Sequence, residues 1–247
     1  MKKTLRLMSA FLLACSLCGT AFADTFGPLR GTTYGSGGSS VVVFLHGDVS
    51  RGGPATYHNA VMREMAQKGV TAIALLRPGY SDGIQTSSGT NHERRDQYTE
   101  ENNDLVAGAL TSIRERHPGK RLVVAGHSGG AAQLGAIVGR YPGLVDSAIL
   151  IACPCDIKTW RAKWRPFPRS EKQSPIKFAS SIGADTRVIA ITGADDDNTF
   201  PGLAEAYVAK AKAAGTPAEF IELSGADHWN NKLHSAVIDL MTTEATR

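Results

Sequence analysis

Short apolar runs alternate with helical segments along most of this chain, and that rhythm limits the fold more than any other feature. "SSVVVFLHG", "VTAIALLRPG", "RLVVAGHS", "VDSAILIA", "TRVIAITG" and "AEFIEL" read as strands. Most are continuously apolar rather than alternating, as expected of parallel strands buried on both faces. Between them lie helical stretches: "GGPATYHNAVMREMAQKG" stopped by Gly69, "YTEENNDLVAGALTSIRERHPG" ended by Pro118-Gly119, "GGAAQLGAIVGRYPG", "FPGLAEAYVAKAKAAG" and "NNKLHSAVIDLMTTE". The expectation is α/β, a doubly wound, mostly parallel sheet covered by helices on both sides. A length of 247 residues suits one such domain, and 42% hydrophobic with 20% charged residues fits a globular chain. One interruption, residues 153–183, is rich in Trp, Pro, Arg and Lys and reads as a small cap over the C-terminal edge of the sheet.

The N-terminus is a separate piece. A positive head, "MKKTLR", precedes the apolar "LMSAFLLACSLCGTAF" and the small-x-small signal Ala21-Phe22-Ala23. This pattern predicts a signal peptide over 1–23, cut before Asp24, and export to the periplasm or beyond for the domain at 24–247. A competing reading takes "LLAC" as a lipobox that leaves Cys15 lipidated. Losing Lys2, Lys3 and Arg6 lowers the formal net charge from +4 to +1, so the chain lacks the basic surplus of a nucleic-acid binder. No later stretch is apolar enough for a membrane span. Of the cysteines, Cys153 and Cys155 remain in the exported chain. A bridge between them closes a very small ring, so they read as two loop thiols. No nearby His or Cys completes a metal site.

Two serines sit in a Gly-x-Ser-x-Gly pattern, Ser81 in "RPGYSDG" and Ser128 in "VVAGHSGG". Ser128 directly follows a buried strand and precedes a helix, which is the strand–turn–helix context of a nucleophile elbow. The flanking glycines remove side chains that such a tight turn has no room for. Ala132, Gly135, Ala136 and Gly139 then strip one helix face to small residues, which predicts close packing on the sheet. Ser81 is followed by "IQTSSGTN", which has no helical face, so it reads as a structural or exposed loop serine.

"LHGD", "GHSGG", "ITGADDDNTFP" and "GADHW", in that order, resemble the α/β-hydrolase superfamily over nearly all of 24–247. About 16 residues separate Asp24 from the first clear strand, too few for that family's opening antiparallel pair, so the fold is expected to be shortened at its N-terminus. The resemblance implies a triad of Ser128, His228 and an aspartate that holds the imidazole. Counting from Gly193 gives Asp196, counting back from Pro201 gives Asp197, and Asp195 stands beside them. It also implies an oxyanion hole from the backbone N–H groups of Gly129 and Asp48, with the acidic side chain of Asp48 turned away from the developing anion. His46 is expected to brace that loop, His127 to point elsewhere, and His58, His92, His117 and His234 to be solvated.

No metal or cofactor is implied. A serine at the elbow points to acyl transfer to water, with a small-molecule carboxylic ester as the leading substrate class and peptide or acyl-amino substrates as the alternative. A ligand-binding protein of the same fold without catalysis is a third reading. Residues 156–172 carry six basic and two acidic residues with Trp160, Trp164 and Phe167. They read either as an amphipathic segment packed on the body or as a cap that closes an aromatic pocket and favours anionic substrates.

Overall fold

The computed structural model describes residues 21–247. The predicted leader falls largely outside that range, as does Cys15. Eight strands form one sheet: β1 (Ala21–Phe26), β2 (Leu29–Tyr34), β3 (Ser40–Leu45), β4 (Thr71–Leu75), β5 (Arg121–His127), β6 (Ser147–Ile151), β7 (Arg187–Gly193) and β8 (Ala218–Leu223). Their order is β1-β2-β4-β3-β5-β6-β7-β8. From β4 to β8 all pairings are parallel, while β1 and β2 are antiparallel to each other and β2 to β4. The N-terminal part is short, yet it does supply the opening antiparallel pair that the sequence reading excluded. Six-residue strands joined through Gly27-Pro28, with Gly27 at φ 53°, need little chain to turn back.

The long helices are α1 (Tyr57–Gln67), α2 (Glu100–Arg116), α3 (Gly129–Arg140), α6 (Gly202–Ala213) and α7 (Asn231–Ala245), with two one-turn helices, α4 (Ile157–Arg161) and α5 (Pro168–Lys172), inside the insertion. Helix α1 starts later than the sequence pattern implies, leaving residues 46–56 as a loop over the sheet edge. Thr99 caps α2 by accepting from the N–H of Asn102, and Asn230 caps α7 by accepting from Leu233. Alternate strand residues feed two cores. Val41, Val43, Val124 and Leu150 pack with α2, α3 and α6 on one face. Val42, Phe44, Val123 and Ile149 pack with α1 and α7 on the other. Among the described residues no helix is long and apolar enough to cross a membrane.

Helix α3 is buried along nearly its whole length. Its small face does not simply approach the sheet, as the sequence suggested. Gly135 lies against Pro175, where an added Cβ would come within 3.1 Å of the proline ring, and Gly139 lies against the backbone of Phe178. The glycines thus seat the returning end of the insertion. Its start is tied down by a Cys153–Cys155 disulfide with Cα atoms 5.0 Å apart, which replaces the two free thiols expected from the sequence.

Gly139→Ala forces a methyl group into the Phe178 carbonyl. Overpacking of this kind costs about 1–3 kcal/mol, so urea unfolding should show a lower midpoint with unchanged slope.

Candidate active site

Strand β5 ends at His127, and Ser128 follows at φ 52°, ψ −115°, a conformation that an L-residue adopts only under constraint. Two features hold it there. Its N–H donates to the Ile151 carbonyl at 2.8 Å, and its own carbonyl accepts from Ala132 in α3. The flanking glycines are steric necessities. A Cβ on Gly126 would lie 2.6 Å from the Gly130 carbonyl oxygen, and one on Gly130 would lie 2.7 Å from that of His46. Gly129 is equally constrained, because the Asp48 carboxylate and the Arg77 guanidinium occupy the space its side chain would need. Ser81, by contrast, is consumed by its own turn: its hydroxyl donates to the Gln85 carbonyl at 2.8 Å and accepts from Gly83.

The acid and base loops meet because Gly193, at the end of β7, has no side chain: the Ala226 carbonyl fills that position. The Asp195 N–H donates to the same carbonyl at 2.9 Å, locking the two loops together. Asp196, 3% exposed, places Oδ2 2.9 Å from His228 Nδ1. Asp195 and Asp197 point into solvent. Asp196 also accepts from the Thr199 hydroxyl at 2.7 Å and from the N–H groups of Asn198 and Thr199. Burial, the largest single influence, opposes its charge, yet His228 and these donors together hold the carboxyl below its usual range.

His228 and Ser128 line one cavity of about 770 Å³ at the C-terminal edge of the sheet. Ser128 Oγ makes no hydrogen bond to His228, a spacing common in unliganded sites. The backbone N–H groups of Asp48 and Gly129 lie next to Ser128 and, among the described residues, donate no hydrogen bond. The Asp48 carboxylate lies beside Gly129 and is engaged by partners of its own. Its Oδ1 pairs with Arg77 at 2.8 Å, and its Oδ2 accepts from Tyr98 at 2.5 Å. The buried His46 braces this loop: Nδ1 donates to the Gly47 carbonyl and Nε2 accepts from the Arg77 N–H.

The sequence reading missed His127, which faces the cavity rather than pointing elsewhere. Its Nδ1 accepts from Tyr57, whose hydroxyl in turn accepts from the Gly47 N–H at 2.6 Å. Its Nε2 donates to the His228 carbonyl at 3.1 Å. Burial, then the neighbouring His228, pulls its pKa down to about 3, so the ring stays neutral and can both accept and donate. The signal for this role was not in the motif, because Tyr57 is 70 residues away in sequence. His58 is also buried rather than solvated, and burial lowers its pKa to about 3.

The chain belongs to the alpha/beta hydrolase family, whose model matches residues 42–238. Sequence comparison with curated proteins finds no match. Among solved structures, it is similar to a Mycobacterium tuberculosis puromycin-hydrolyzing peptidase (TM-score 0.72, 15% identity, 94% of this chain and 39% of that one). It is also similar to the Pyrococcus furiosus esterase Pf2001 (TM-score 0.67, 14% identity, 92% and 90%). A third is a Paleococcus ferrophilus monoacylglycerol lipase (TM-score 0.66, 14% identity, 87% and 99%). The chain thus spans about two fifths of the peptidase but nearly all of the esterase and the lipase.

Separate Asn substitutions at Asp195, Asp196 and Asp197 should give unequal losses. Only Asp196→Asn should cut kcat steeply, by roughly 10² to 10⁴ as for triad aspartates. The depressed folded pKa of Asp196 also makes its contribution to stability complete above the usual value of 3.8 and lost as pH falls through the lower folded value. Acid titration of unfolding midpoints should show that loss in wild type and a smaller one in Asp196→Asn.

Proposed function

We propose that this protein is an exported serine hydrolase that cleaves a carboxylic ester through Ser128, His228 and Asp196. The observation that carries the reading is the Asp196–His228 pair facing the same cavity as a serine held at positive φ between obligatory glycines. In the proposed reaction His228 Nε2 takes the Ser128 proton as Oγ attacks the acyl carbon, and Asp196 keeps Nδ1 protonated and stabilises the imidazolium. The N–H groups of Asp48 and Gly129 receive the negative charge that develops on the carbonyl oxygen. Collapse breaks the bond to the alcohol, which leaves with the proton from His228 and leaves an acyl-Ser128 ester. A water molecule then gives a proton to His228 and attacks the acyl carbon; the bond to Oγ breaks as Oγ takes that proton from His228, releasing the acid and free Ser128.

An ester is favoured over a peptide because the chain spans nearly all of the esterase and the lipase it is similar to, but only about two fifths of the peptidase. Trp160 and Phe167 form the cavity's aromatic side, and the Trp160 indole N–H donates to the Asn198 carbonyl beside the acid loop. We read residues 153–183 as a small cap for this reason. Peptide or acyl-amino cleavage is the alternative, and ligand binding without catalysis the reading from another class.

A fluorophosphonate probe should label wild-type protein and the Ser81→Ala variant but not Ser128→Ala. Among nitrophenyl esters and aminoacyl-nitroanilides, the esters should turn over faster. Labelling that survives in Ser128→Ala, or activity confined to the anilides, contradicts the assignment.

Export is proposed on the leader pattern. Ala21, Phe22 and Ala23 are exposed in β1, so cleavage before Asp24 removes three of the six β1–β2 register pairs but no buried side chain. Mass spectrometry of the exported protein should find Asp24 at the N-terminus rather than a lipid-modified Cys15.

A further inference from the structure

The cavity in front of Ser128 carries an unusual charge. Five arginines line it, Arg51, Arg94, Arg95, Arg161 and Arg165, against two carboxylates, Asp48 and Glu93. Asp48 is already neutralised by Arg77. Arg94 is occupied with the carbonyls of Val49 and Gly53. The rest are not so engaged. Among the described residues Arg51, Arg95 and Arg165 have no carboxylate partner, while Arg114, Arg116, Arg140 and Arg187, elsewhere on the molecule, each have at least one. Arg161 uses only Nε, on the Arg165 carbonyl, and its guanidinium lies over the Phe167 ring at 4.2 Å and the Trp160 ring at 5.2 Å.

Stacking of this kind fixes the plane of the guanidinium and leaves its outer N–H groups free, the arrangement that receives a carboxylate or phosphate through two parallel hydrogen bonds. Burial lowers the pKa of Arg161, with Tyr98 opposing it and no carboxylate beside it. Arg95, Arg165 and Phe167, with Glu93, also line a second cavity of about 780 Å³, whose other carboxylate, Asp96, is taken by Arg169. Like charges gathered at a cleft repel one another unless an anion enters, and they raise the local concentration of anionic ligands.

We propose that the substrate is an anionic ester, with a carboxylate or phosphate group seated among Arg161, Arg165 and Arg95 while its acyl carbon lies at Ser128. The proposal rests on the assignment of Ser128 as nucleophile, and the test separates the two. Mono-4-nitrophenyl adipate and 4-nitrophenyl hexanoate have acyl chains of equal length and differ by a terminal carboxylate. Wild type should favour the adipate ester by about tenfold or more in kcat/KM, as expected for charge-assisted hydrogen bonds. That preference should fall with added salt. In the Arg161→Gln/Arg165→Gln double variant the ratio should drop about tenfold, chiefly through KM for the adipate ester. Lys212→Gln, at an exposed position of α6, should leave the ratio where it was.

Binding is read independently of turnover, by Trp fluorescence of the Ser128→Ala variant titrated with adipate and with inorganic phosphate. Saturable binding that the arginine substitutions abolish supports the site, and the better ligand tells carboxylate from phosphate. Hydrolysis of the neutral ester with no anionic preference overturns the anion site and keeps the hydrolase. Arginine-dependent binding with neither ester cleaved supports the anion site and overturns the hydrolase. Absence of arginine-dependent binding overturns the anion site.

Discussion

The buried ion pair between Arg77 and Asp48 is the contact on which the geometry of the cavity depends. Arg77 is 1% exposed and follows β4, yet its guanidinium reaches Asp48, the His46 carbonyl and Gln133 of α3. A guanidinium cannot be buried without such partners, because desolvation of an unpaired charge costs several kcal/mol. The requirement works in one direction only: wherever Arg77 is, the loop after β3 and the first turn of α3 must be. Tyr98 closes the arrangement by donating to the second oxygen of Asp48. With its oxygens held by Arg77 and Tyr98, the carboxylate is fixed beside Gly129.

The C-terminal edge of the sheet is assembled from such exclusions. Gly126, Gly129 and Gly130 admit no side chain because backbone atoms or the Arg77–Asp48 pair already occupy the space. Gly193 admits none because the His228 loop crosses there. Each position is decided by steric fit rather than by attraction, so the surrounding loops have few alternative arrangements. The chain Gly47–Tyr57–His127–His228 adds directional bonds across the same region and ties the base loop to the oxyanion loop.

One wall of the cavity therefore belongs to the sheet and is rigid, while the other belongs to the insertion after β6. That second wall is anchored by Trp160 and Phe167 in a small cluster with Tyr98, Ala132, Ile157 and Leu203, and by Pro175 and Phe178 on α3. Its exposed residues, Arg165 and Trp164 among them, need not pack and so are free to differ in chemistry without disturbing the fold. The sheet wall holds Ser128 and His228, and the insertion wall holds Trp160, Arg161, Arg165 and Phe167.

The parallel sheet, its two helical layers and the elbow at Ser128 were legible in the sequence, because continuous apolar strands and a strand–turn–helix serine are local patterns set by burial and backbone sterics. The opening β1–β2 pair was not: its strands are short and mostly exposed, leaving little apolar signal. Asp196 could be placed within a run of three aspartates only by counting. In the tertiary structure the Gly193–Ala226 crossing brings Asp196 to His228 and leaves its neighbours in water. The partners of Asp48, the inward turn of His127 and the convergence of arginines from the β3–α1 loop, residues 94–95 and the insertion likewise belong to the tertiary structure alone. Each depends on groups distant in sequence, and no local pattern records which of them share a cavity once the chain has closed.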